Sequence, residues 1–94
     1  MFPHQRHVDA RATAKVSVLV SDVTGVQRIL VLLTGRNYPI TRFEAEEAGS
    51  GRWRLSVDCV VDAEGADLLE ARLHRLPSVL AVRLRPSEPL AATG

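Results

Sequence analysis

The chain has 94 residues, 46% hydrophobic and 24% charged, with 12 Lys and Arg against 11 Asp and Glu, for a net charge of +1. That length holds one domain with one core, which excludes barrels and two-domain enzymes. The near-neutral balance argues against nucleic acid or an anionic membrane as partner.

A single cysteine, Cys59, excludes an internal disulfide framework and a Cys-rich zinc site. The longest apolar run, Val26 to Leu33, is interrupted by Gln27 and Arg28, so no membrane span is expected. The N-terminus lacks the continuous apolar stretch of a signal peptide, and the cytoplasm is the expected location.

Residues 1–13 are polar and aperiodic, and residues 86–94 carry Pro86 and Pro89 without a pattern. Both read as tails around one block, residues 14–85. Within it, Lys15 to Ser21 is β-branched and alternating, with Val16, Val18 and Val20 on one face of a first strand. Thr24 is a candidate N-cap, and Gln27 three residues on completes a capping box. Val26, Ile29, Leu30 and Leu33 then follow the spacing of an amphipathic helix. Gly35 or Asn37 ends that helix, and Pro39 prevents continuation.

A second strand over 40–47 alternates Thr41, Phe43 and Ala45 against Ile40, Arg42, Glu44 and Glu46. Gly49-Ser50-Gly51 supplies a hairpin loop. The third strand sets Trp53, Leu55, Val57, Cys59 and Val61 on one face and Arg52, Arg54, Ser56 and Asp58 on the other. This is the signature of an antiparallel sheet covered on one side. Asp62 can cap a second helix, about 63–75, carrying Leu69, Leu73 and Leu76, and Pro77 stops it. A fourth strand, Val79 to Arg85, sets Leu80, Val82 and Leu84 on one face.

The order βαββαβ predicts an α+β, ferredoxin-like sandwich: four antiparallel strands in the order fourth, first, third, second, with both helices on one face. Such a fold serves many functions, so function must come from sites.

No catalytic constellation is apparent. His4 and His7 lie in the N-terminal tail without further ligands, and His74 reads as a helix-end residue suited to the macrodipole. Cys59 reads as a buried thiol and Trp53 as core or rim. The first strand has no aromatic residue for stacking RNA bases, and the loop after it has no sulfur for a metal. That loop, Ser21 to Gly25, is the most informative place. Free N–H groups around Gly25, Val26 and Gln27 would favour an anion, and Gly25 would let a backbone or small ligand approach. Asp22 could accept from an ammonium, so the loop suits an α-amino acid in principle.

Val16-Ser17-Val18-Leu19-Val20 followed by Asp22-Val23-Thr24-Gly25-Val26 resembles the opening of an ACT domain, and specifically the regulatory small subunits of acetolactate synthase. Arg36-Asn37-Tyr38-Pro39-Ile40 and Leu73-His74-Arg75-Leu76-Pro77-Ser78-Val79 are similar to two further blocks of that family, in register over residues 14–85.

The resemblance implies a non-catalytic homodimer that binds a catalytic large subunit and raises its activity. Thiamine diphosphate and magnesium would belong to that partner, and this chain would hold no cofactor or metal. It also implies an amino-acid effector site at Asp22, Thr24, Gly25, Val26, Pro39 and Ile40. Arg52 and Arg54 are the candidate partner contacts. The longer, valine-sensitive members carry Asn at the positions of Asp22 and Pro39, and a small residue at Glu46. Partner binding is therefore carried over more readily than valine feedback. A single domain matches the short members. The alternative is a stand-alone ACT dimer sensing an amino acid or other small metabolite.

Overall fold

The computed structural model describes residues 11–86. The elements are β1 (Arg11–Val20), α1 (Val23–Gly35), β2 (Ile40–Gly49), β3 (Arg52–Asp62), α2 (Ala63–His74) and β4 (Val79–Pro86). The sheet order is β2-β3-β1-β4, with every pairing antiparallel, as the βαββαβ order predicts. His4, His7 and most of the two expected tails lie outside the described residues. β1 begins at Arg11, inside the expected N-terminal tail.

The core lies between the helices and one face of the sheet. Val16, Val18 and Val20 of β1 are buried opposite Val57, Leu55 and Trp53 of β3. Ile29 and Leu33 of α1 and Leu69 and Leu73 of α2 close over them. Each of these side chains removes apolar area from water, worth about 1.5–3 kcal/mol per large residue. Among the described residues, the other face of the sheet carries no helix.

Three expectations fail on particular residues. Leu30 is not in the core and remains 41% exposed. Ile29 and Leu33 are the α1 residues that fill it, so Leu30 stands at the margin of the buried stripe. In β4, the pairing with β1 shifts between Leu19 and Val20, which sets Val79 rather than Leu80 opposite Val20. Leu80 is thereby turned out and is 54% exposed. In β2, a register shift between Ile40 and Arg42 brings Ile40 onto the core side with Phe43. Both shifts are bulge-type irregularities, which change the face of every side chain on one side of them.

The turns follow the expected chemistry. Tyr38 N–H donates to the Leu33 carbonyl at 3.0 Å, and Asn37 takes a φ of 60°, a conformation Asn tolerates beyond a helix end. The β2–β3 hairpin turns through positive φ at Gly49, Ser50 and Gly51.

Candidate functional site

The loop between β1 and α1 is fixed at both ends. Ser21 N–H donates to the Ser78 carbonyl at 2.9 Å, tying the loop to the start of β4. Asp22, and not Thr24, is the N-cap. Its backbone is extended (φ −159°, ψ 173°), and its Oδ1 accepts from Gly25 N–H at 3.1 Å. No Thr24–Gln27 capping box forms, because the helix begins one residue before Thr24.

That early start changes which donors are open. In α-helical geometry the N–H groups of Val26 and Gln27 point to the carbonyls of Asp22 and Val23. Gly25 N–H is taken by Asp22. The first-turn donors left are those of Val23 and Thr24. The carboxylate of Asp22 occupies the favourable end of the helix dipole. The loop therefore presents an acceptor for an ammonium more readily than an empty cradle for an anion.

Gly25 is buried, and it serves packing. A Cβ at this position would stand 2.7 Å from the Val20 Cβ and 2.9 Å from the Ser78 Cβ. The glycine lets α1 lie directly on β1 and on the segment before β4. Space for a ligand is not what it provides.

The six candidate effector residues do not meet within one chain. Asp22, Thr24, Gly25 and Val26 stand at the start of α1, and Pro39 and Ile40 follow its far end. Its 13 residues span about 20 Å. Pro39 is exposed, and its carbonyl accepts from Val60 N–H at 3.0 Å. Ile40 is half-buried against the core.

The outer face of α1 is apolar and uncovered. Val23 is 56% exposed and Val31 68%, with Leu30 beside them. Leu30, Val31, Leu32 and Leu76, with Thr24, Gln27 and Arg28, line an open apolar hollow on this side of the helix layer. The sequence hid this surface because Leu30 fits the spacing of a core residue.

Arg52 and Arg54 are exposed on the open face of the sheet. Arg54 is paired across the strands with Glu46 on β2 and Leu19 on β1. Arg52 lies at the hairpin, its Nε 3.4 Å from the Gly49 carbonyl. Arg42 and Glu44 form an ion pair on the same face, and the hydrogen bond to Glu44 raises the pKa of the guanidinium. Cys59 is fully buried, and desolvation first, then the charge of Asp58, pushes its thiol pKa up. His74 ends α2, 3.9 Å from Glu70. Among the described residues, no group of three or more His, Cys, Asp or Glu gathers as a metal site. No described helix is long and apolar enough to cross a membrane.

No protein-family profile and no curated protein matches the sequence. Solved structures do. The ACT domain of GTP pyrophosphokinase from Chlorobium tepidum superposes with a TM-score of 0.71 at 15% identity, over 84% of this chain and 91% of that one. The C-terminal domain of the MgtC protein from Mycobacterium tuberculosis gives 0.66 at 18%, over 86% and 93%. At these identities the likeness is one of fold. The acetolactate synthase small subunit from Thermotoga maritima gives 0.66 at 26%, over 85% of this chain and 50% of that one. The chain thus has the ACT-domain fold and resembles the acetolactate synthase small subunit, of which it spans half the length.

Proposed function

We propose that this chain is a regulatory ACT domain that works as a homodimer and raises the activity of a thiamine-diphosphate-dependent acetolactate synthase catalytic subunit. The observation that carries the reading is the similarity to the Thermotoga maritima small subunit, 26% identical over 85% of this chain. It stands beside the three sequence blocks, Val16–Val26, Arg36–Ile40 and Leu73–Val79, that resemble the same family.

The geometry of α1 supports pairing. Its uncovered face of Val23, Leu30 and Val31 is suited to packing on a second copy. With the two α1 helices antiparallel, the Asp22–Gly25 loop of one copy would approach Pro39 and Ile40 of the other. Pairing would then assemble an effector site that one chain leaves divided. Asp22 would take the ammonium of an amino acid, and the N–H groups of Val23 and Thr24 its carboxylate. Pro39 has no N–H to donate, so valine is expected to bind weakly.

The test is to mix the purified chain with its cognate acetolactate synthase catalytic subunit, thiamine diphosphate and magnesium. Activity is expected to rise several-fold and to saturate with added chain. No activation and no co-elution at low salt would overturn the accessory role. A thermal-shift panel of amino acids tests sensing separately. A ligand at about 100 times its dissociation constant adds about 2.7 kcal/mol to stability, and Asp22→Ala should remove the shift.

A further inference from the structure

The open face of the sheet carries both signs of charge, and the strand register shows which are balanced. Arg42 is paired with Glu44 on β2. Arg54 is set across from Glu46. Lys15 Nζ lies 3.6 Å from Asp58 Oδ1. Arg83 and Arg85 on β4 have no ion-pair partner among the described residues. Moreover, Arg85 is set directly opposite Lys15 in the β1–β4 pairing, and Arg83 opposite Ser17. Like charges directly opposite each other destabilise an antiparallel pair. Asp58 offsets that cost on the Lys15 side, and a further anionic neighbour would relieve it on the Arg83 and Arg85 side.

We propose that Lys15, Arg83 and Arg85, with the Ser17 hydroxyl between them, dock the carboxylates of an acidic protein segment. The surface is open, as a protein contact requires. Phe43 and Trp53 pack on the core side of the sheet, so among the described residues the face offers no aromatic platform for nucleic-acid bases. Glu44, Glu46 and Asp58 on the same face would repel any uniformly anionic chain running across it, a phosphate backbone included. A protein partner can match both halves, with acids against β4 and bases or hydroxyls against β2. This relocates the expected anchor. Arg54 already faces an acid, and Arg52 sits at the hairpin end. Resting on the accessory-subunit reading, the acidic segment belongs to the catalytic partner.

The test uses the full isotope-labelled chain and two probes: a ten-residue peptide of five glutamates followed by five lysines, and a ten-nucleotide single-stranded DNA. The peptide is expected to shift amide resonances of Lys15, Ser17, Arg83 and Arg85 and to leave α1 unmoved. R83E/R85E should weaken peptide binding at least tenfold with an unchanged circular dichroism spectrum, and R28E on α1 should not. In the activation assay, R83E/R85E should raise the half-maximal concentration about tenfold and leave the plateau unchanged. Peptide shifts elsewhere, wild-type binding by R83E/R85E, or DNA binding as tightly as the peptide would each overturn the proposal. Peptide binding at this corner without activation by the wild-type chain would uphold the docking surface and overturn the acetolactate synthase role alone.

Discussion

The start of α1 rests on Val20 through Gly25, where a Cβ would stand 2.7 Å from the Val20 Cβ. Both neighbours of that missing Cβ are held: Val20 is fully buried, and Ser78 is bonded to Ser21. Gly25→Ala is therefore expected to cost about 1–3 kcal/mol by overpacking. Gly25→Asp should cost more, because a larger side chain must be accommodated beside Val20 and Ser78. Gly35→Ala is the control, because a Cβ there meets nothing within 4 Å. It should be neutral or slightly stabilising. Urea melts of the three variants check this, and a Gly25→Ala protein as stable as wild type would remove the packing role.

Leu30 and Leu55 separate the buried stripe from its margin. Leu55 is fully buried on the central β3 strand, and Leu55→Ala should cost about 2–5 kcal/mol through lost transfer energy and a cavity. Leu30 is 41% exposed, and its truncation should cost well under half as much in the monomer. Ile29→Ala should behave like Leu55→Ala. Equal losses at Leu30 and Leu55 in dilute protein would contradict the assignment.

The strands that alternate over many residues were legible from sequence. β1 and β3 bury every second residue, and that pattern identified the core face, while the βαββαβ order predicted the sheet order. The errors arose where a local choice depends on a neighbour. Asp22 and Thr24 are both good caps, two residues apart. The helix starts after Asp22, which sets Gly25 against Val20. Leu80 looked buried because its strand alternates, but the shift against Leu19 and Val20 belongs to the pairing of two strands. The balance of charge on the open face was hidden for the same reason. Arg83 and Arg85 are ordinary strand residues until the register sets Arg85 beside Lys15.

Pairing through α1 predicts a charge-sensitive dimer. Val31→Asp would place a carboxylate in the middle of the apolar face, where each copy would desolvate it. Light scattering at about 100 µM, well above a micromolar dissociation constant, should show a dimer for the wild type and a monomer for Val31→Asp. Because Val31 is 68% exposed in the single chain, the variant should keep its circular dichroism and most of its stability. A wild-type monomer at that concentration would count against pairing. A dimer unaffected by Val31→Asp would move the interface elsewhere, with the β2 edge as the next surface to test.

Cys59 gives the fold a defined alkaline response. Its thiol is fully buried, and burial first, then the nearby Asp58, raises its pKa in the folded state. Below the ordinary thiol pKa, neither the folded nor the unfolded chain ionises Cys59, and the contribution to stability is complete. As pH rises past that value, the unfolded chain releases a proton that the folded chain retains. Stability then falls with pH until the raised folded pKa is passed. Cys59→Ala loses some packing at every pH, but it should lack this component of the alkaline slope. Urea melts of both proteins between neutral and alkaline pH should therefore converge as pH rises. A thiol reagent should label the native protein only as fast as the core opens. Prompt labelling under native conditions, or parallel pH profiles for the two proteins, would show that the thiol is not held in the buried, protonated state.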